Sequence, residues 1–266
     1  MVRKNPKSGN LITPSEDTDV VSSHMTPARQ ASHFARARRA RETETVDDYL
    51  ELIADLIDDI GEARVVDISK NLRKRFKCDE PVLLVTNVGG FSEHHHLEPE
   101  EKKPLYDRLI QSLQKISTNN EVEIIPQTMP PFPWHFGGQR YHNLFVDANF
   151  IKAFHEDTGM RVCLDVSHSK LACNHLDASF SEFLKKILPF TAHLHLADAQ
   201  GVDGEGLQIK DGEIDWTELF NLINAHCPNA SFIPEIWQGH KNRGEGAWIA
   251  LERLEHYSSA TKINLN

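Results

Sequence analysis

Long apolar runs are missing from this 266-residue chain. None approaches the roughly twenty residues that a bilayer-spanning helix needs, so a membrane is not the expected partner. Basic charge is also short: 29 lysines and arginines stand against 39 aspartates and glutamates, for a net charge of −10. A protein that grips nucleic-acid backbones displaces counterions with a basic face, which argues against nucleic acid as well. Cysteine is scarce. Cys78, Cys163, Cys173 and Cys227 show no paired metal-ligand spacing, and two of them lie in or beside apolar runs, as in a reduced chain. The first ten residues are polar and basic without the apolar centre of a secretory signal. A soluble cytoplasmic protein is the expectation.

What is present is an alternation of strand-like and helix-like segments. Residues 1–19 carry Lys, Asn, Pro, Ser, Gly and acids and read as a flexible lead-in; residues 20–258 form the domain, and 259–266 a tail. The first strand-like segment, 19–24, ends at His24, and 28–41 is an arginine-rich helical face. Residues 45–60 place Val46, Tyr49, Leu50, Ile53, Leu56, Ile57 and Ile60 at steps of three and four, one apolar helix stripe. A further helix is expected over 63–76, then a buried strand from Pro81 into Gly89-Gly90. His94, His95 and His96 cannot easily converge on one ion, so they read as a solvated loop. Helices are expected over 104–116, 147–157, 179–188, 215–225 and 246–257. Between them, 129–139 is too proline-rich for a helix and too aromatic for a solvated loop; Phe132, Trp134 and Phe136 are expected to wall a pocket.

Three strand-like runs end in polar groups. Arg161-Val162-Cys163-Leu164-Asp165-Val166-Ser167-His168 delivers a carboxylate and, three residues later, an imidazole. Ala192-His193-Leu194-His195-Leu196-Ala197-Asp198 repeats the design, and Ser231-Phe232-Ile233-Pro234-Glu235-Ile236 does so again. Carboxylates and imidazoles can hold a divalent cation or grip a polar substrate. An aspartate that closes a strand is, equally, an ordinary cap for the following helix; three successive occurrences favour a shared site. Parallel strands with functional groups at their C-terminal ends and helices between them are the plan of an α/β, (β/α) TIM-type barrel.

These segments, together with Gly212-Glu213-Ile214-Asp215-Trp216 and Pro234-Glu235, resemble the xylose-isomerase-like TIM barrel superfamily, which holds sugar and sugar-phosphate isomerases and epimerases and endonuclease-IV-like enzymes. The likeness runs over residues 80–257, with a weaker continuation back to Val20. It implies a divalent metal (Mn, Mg, Co or Zn) held at Gln127, Asp165, His195 and Glu235. Gln127 departs from the family's glutamate there, and an amide oxygen still ligates hard cations. The resemblance makes Glu235 and His168 the catalytic candidates, with Trp134, His135 and His168 against a small sugar substrate.

The implied activity is a metal-dependent isomerase or epimerase moving a proton beside a polarised carbonyl. Two rivals stand beside it. Asn87 in place of a histidine and Glu205 in the Asp203-Gly204-Glu205 segment weaken the endonuclease-like metal phosphodiesterase. Gln127 favours a degenerate barrel that binds a sugar or a protein without turnover. Counted against the family, the strands fall two short of eight, so the barrel is expected to be incomplete at its N-terminus, with its edge covered by a homo-oligomer or by a missing N-terminal part.

Overall fold

The structure is a computed structural model that describes residues 65–77, 79–116, 121–135 and 138–261. All of these belong to one compact unit, Arg64–Asn266. The strand expected over 19–24, the arginine-rich face and the helix over 45–60 lie outside the described residues, as does His24.

Helix α1 (Val65–Phe76) leads into strand β1 (Val82–Thr86), and helix α2 (Pro99–Lys115) into strand β2 (Val122–Pro126). Helix α3 (Ala148–Thr158) precedes strand β3 (Val162–Asp165), which is followed without a break by α4 (Val166–His175) and then α5 (Phe180–Ile187). Strand β4 (Thr191–Leu196), helix α6 (Trp216–His226), strand β5 (Ser231–Pro234) and helix α7 (Lys241–Thr261) complete the alternation. Among the described residues, no helix is long and apolar enough to cross a membrane.

The five strands are parallel and lie side by side in chain order. β1 pairs with β2, a bridge from Gln127 to Cys163 links β2 to β3, and β4 pairs with both β3 and β5. Because successive side chains in a strand point to opposite faces, the ladder sorts residues by parity. Ile124, Leu164 and Leu194 join the large cluster packed against the helices, with Phe154, Leu171, Leu184 and Leu219. Ile125 and Cys163 belong to a second, smaller cluster with Leu83 and Val85. Gln127, Asp165 and His195 share the parity of this second set: Asp165 pairs with His195, and Cys163 with His193 two residues earlier.

Helix boundaries follow local chemistry. Asp147, Ser179 and Asp215 each stand just before a helix and accept its first free N–H groups, so they are caps rather than first-turn residues. α2 starts five residues before the expected position 104. Pro99 opens it, Glu98 and Glu101 form a reciprocal capping box, and Pro104 sits inside the helix. α7 is also longer than expected, because a left-handed turn at Asn242, Arg243 and Gly244 precedes its regular part.

One expectation changes. His96 is partly buried: its ring lies 4.6 Å from that of His175 and 5.0 Å from that of Phe132, and its Nε2 is 3.0 Å from Pro131 O. Phe132 packs on His96, Tyr141 and His175. His94 and His95 are exposed as expected.

A buried carboxylate organises the far end of β4. Asp198 Oδ1 accepts N–H groups from Ala199 (2.9 Å) and Ile214 (3.1 Å), and Oδ2 accepts from Lys210 N (3.0 Å) and Trp216 Nε1 (2.8 Å). Gly212 passes so close that a Cβ there would come within 2.4 Å of Asp198 Oδ1, which explains the glycine in this segment. Asp198→Ala strips four donors of their acceptor and is expected to cost roughly 3–5 kcal/mol, read as a lower midpoint in urea unfolding.

Burial, with His175 and Lys102 nearby, lowers the His96 pKa from its usual 6.5 to about 4. The unfolded chain therefore takes up a proton that the folded chain refuses, and stability falls as pH drops from 6.5 towards 4. His96→Phe keeps a ring but cannot titrate, so its unfolding free energy should decline less steeply across this window; an unchanged slope would assign the acid lability elsewhere.

Candidate metal centre

Strand parity and register bring Asp165, His195 and Glu235 together. β3 ends on Asp165, β4 carries His195 opposite it, and Glu235 stands one residue beyond β5, its N–H donating to Leu196 O at 3.0 Å. One ligand atom from each lies within 4.8 Å of the other two. His195 Nδ1 is 2.5 Å from Glu235 Oε2 and 3.7 Å from Asp165 Oδ2.

Gln127, one residue past β2, joins them. Its Nε2 donates to Asp165 Oδ2 at 3.0 Å and lies 3.2 Å from His195 Nδ1. Rotating the amide by half a turn puts Oε1 where Nε2 stands, and the oxygen then faces the cluster. The donor set is two carboxylates, an imidazole and an amide oxygen, a mixture that suits Mg, Mn, Co or Zn. All four residues that the sequence pointed to as ligands thus meet at one place.

Asp165 is both a helix cap and a member of the cluster. Oδ1 accepts the His168 N–H at 2.9 Å, which starts α4, while Oδ2 faces Gln127, His168 and His195. Thr128 secures it from below, its Oγ1 accepting the Asp165 N–H at 2.9 Å. Burial works to raise the Asp165 pKa, but His168, His195 and the accepted N–H outweigh it and hold the carboxyl below its usual range. The histidines respond in the opposite sense. Burial disfavours their charged forms, yet Asp165, with Cys163 and Glu235, lifts His195 to about 12, and Asp165 with Glu205 lifts His168 to about 9. Both directions report one cause, the mutual attraction of carboxylates and imidazoles packed at this point.

The cluster borders a cavity of about 290 Å³ lined by Asp165, His168, Glu205, Glu235, Trp237 and His240 among others. His168 stands on its wall, Nδ1 3.0 Å from Thr128 O and Nε2 3.4 Å from Glu205 Oε2. Trp134 and His135 form a short strand paired antiparallel with Gly138 and Gln139; their side chains lie outside the described residues. Sequence reasoning missed Glu205, Trp237 and His240. Glu205 rides on a hairpin, Asp198–Gln200 paired with Gly204–Leu207, where only the flanking glycines hint at a turn towards a site. Trp237, two residues past Glu235, is 71% exposed, an unusual position for a large aromatic side chain.

A family model described as xylose isomerase-like TIM barrel matches residues 18–256. Among solved structures the chain is similar to a D-tagatose 3-epimerase-like protein, at 18% identity and a TM-score of 0.52 over 74% of this chain and 70% of that one. The IOLI protein, crystallised with a binding zinc atom, gives 13% identity and a TM-score of 0.52 over 73% and 70%. The D-psicose 3-epimerase of Clostridium cellulolyticum H10, solved with D-tagatose, gives 13% and 0.50 over 73% and 68%. At these identities the likeness is one of fold. A separate short match, 51% identical over 39 residues, is to the transcriptional regulator MntR of Escherichia coli O6:H1, covering 15% of this chain. This chain therefore spans about a quarter (25%) of the length of the curated relatives it matches.

Restoring a carboxylate should strengthen the cluster's hold on a cation. Gln127→Glu is expected to tighten Mn binding about tenfold or more in calorimetric titration, whereas unchanged or weaker binding would remove Gln127 from the ligand set.

Proposed function

Starting from the family to which this chain belongs, the xylose isomerase-like TIM barrels, we propose that it is a metal-dependent isomerase or epimerase of sugars or sugar phosphates. One observation carries this reading: Asp165, His195 and Glu235, side chains able to ligate a metal, come from the ends of three adjacent strands to within 4.8 Å of one another, and Asp165 and Glu235 line a cavity of about 290 Å³. Asp165, His195 and Glu235 would hold the ion, with the Gln127 amide as a further oxygen donor. When bound, a divalent ion supplies Lewis acidity to a substrate carbonyl and so acidifies the neighbouring C–H.

The remaining work falls to the protein. Glu235, on the cavity wall, removes the proton from that neighbouring carbon; for isomerisation it delivers the proton to the former carbonyl carbon, and for epimerisation a second acid or a water returns a proton to the same carbon from the opposite face. His168 is fixed by Thr128 O and Glu205 and offers a proton to a substrate oxygen. Thr128 O and the Asp165 cap hold His168 at the start of α4, and the Glu235 N–H is tied to Leu196 O, which positions both groups for proton transfer over a short distance.

Gln127 favours a second reading. With an amide where a carboxylate would serve as ligand and proton acceptor, the barrel would hold a metal and a sugar without turnover. Incubating the Mn-loaded chain with ketohexoses and their phosphates in D2O distinguishes the two. Isomerase or epimerase activity places deuterium beside the carbonyl, and Glu235→Gln slows that exchange by roughly a hundredfold or more. Bound metal with no exchange from any of these sugars would leave the binding module standing.

A further inference from the structure

The outer wall of the cavity is built by three segments tied together at Gly206. Its N–H donates to Ser167 Oγ at 3.0 Å, at the start of α4, and its carbonyl accepts the Trp237 N–H at 2.8 Å. Gly206 has φ +69°, and a Cβ there would lie 3.2 Å from both Trp237 N and Trp237 Cβ. Only a residue without a side chain fits this junction comfortably. The tie sets Glu205 on one side, 3.4 Å from His168 Nε2, and Trp237 on the other, both lining the cavity beside the ligand cluster.

These two side chains have a definite chemical complement. An ionised carboxylate only accepts hydrogen bonds, and Glu205, with a side chain 30% exposed, keeps accepting capacity open to the cavity beyond its contact with His168. A hydroxyl can donate to it; the oxygens of a phosphate dianion cannot, and they carry charge of the same sign. An indole face offers a flat apolar platform with a negative quadrupole, which suits the polarised C–H face of a sugar and disfavours an anion. Under the proposed function Asp165 is taken up by the ion and the helix cap, and Glu235 by the ion and the proton transfer at carbon, so Glu205 is the carboxylate of this wall left to accept hydrogen bonds from substrate hydroxyls.

We infer that Glu205 and Trp237 are specificity-determining residues that select an unphosphorylated, polyhydroxylated sugar, Glu205 by accepting hydrogen bonds from its hydroxyls and Trp237 by stacking on its C–H face. The inference rests on the sugar-processing reading of the site and narrows its substrate class.

The test is calorimetric titration of the full Mg-loaded chain with the four D-ketohexoses and with D-fructose 6-phosphate. At least one neutral ketose should bind about tenfold or more tighter than the phosphate. Glu205→Gln introduces N–H donors and should narrow that ratio to about threefold or less, while Mg affinity stays unchanged because Glu205 is outside the ligand cluster. Trp237→Ala should weaken the neutral sugar about tenfold. Equal or tighter binding of the phosphate, a ratio that Glu205→Gln leaves intact, or no heat from any neutral ketose would overturn the inference. Preferential binding of a neutral ketose without solvent exchange of its C–H protons would sink the isomerase reading alone and leave this one in place.

Discussion

One buried carboxylate links the scaffold to the chemistry. Asp165 ends a strand, starts the next helix and contributes an oxygen to the ligand cluster, and it can do all three because its two oxygens point different ways. The oxygen committed to the His168 N–H fixes the backbone. The other is then held on the cavity side, where Gln127, His168 and His195 gather around it. The capping N–H, the Gln127 amide and the two imidazoles together offset the cost of an ionised group this deeply buried. The cap and the site therefore stabilise the same charge.

Much of this was legible in the sequence because strands impose a period of two. Asp165, His195 and Glu235 could be anticipated at strand ends from the alternation of Val162, Leu164, Leu194 and Phe232 with their neighbours, and the register confirms that alternation. Gln127 was reachable only through likeness to a family, since an amide after a short strand has no pattern of its own. The two meanings of a strand-closing aspartate, cap or candidate ligand, are geometrically compatible at Asp165, which no spacing rule could have revealed. Asp198 shows the other outcome, an aspartate in the same sequence setting whose two oxygens are taken up by four structural hydrogen bonds.

The misses share a cause. Glu205, Trp237 and His240 sit on connections between elements, where side-chain direction is set by turns and by long-range ties such as Gly206 to Ser167 and Trp237. Periodicity does not extend into such segments. His96 was misjudged for a related reason. Three adjacent histidines cannot share an ion, but one of them can turn inward while its neighbours stay in water, and which one turns depends on His175 and Phe132, distant in sequence. In α2, the helix begins ahead of the expected position 104 because the capping box of Glu98 and Glu101 starts it upstream of its apolar stripe.

The donors gathered by Asp198 all come from residues 199 to 216. Closing so short a loop costs little chain entropy compared with joining strands forty residues apart. The rim after β4 can consequently organise as a local unit, on the timescale of loop closure and hairpin formation, without waiting for distant strands to find their neighbours. A unit of this kind carries one wall of the cavity, Glu205 and Gly206, with it as it forms.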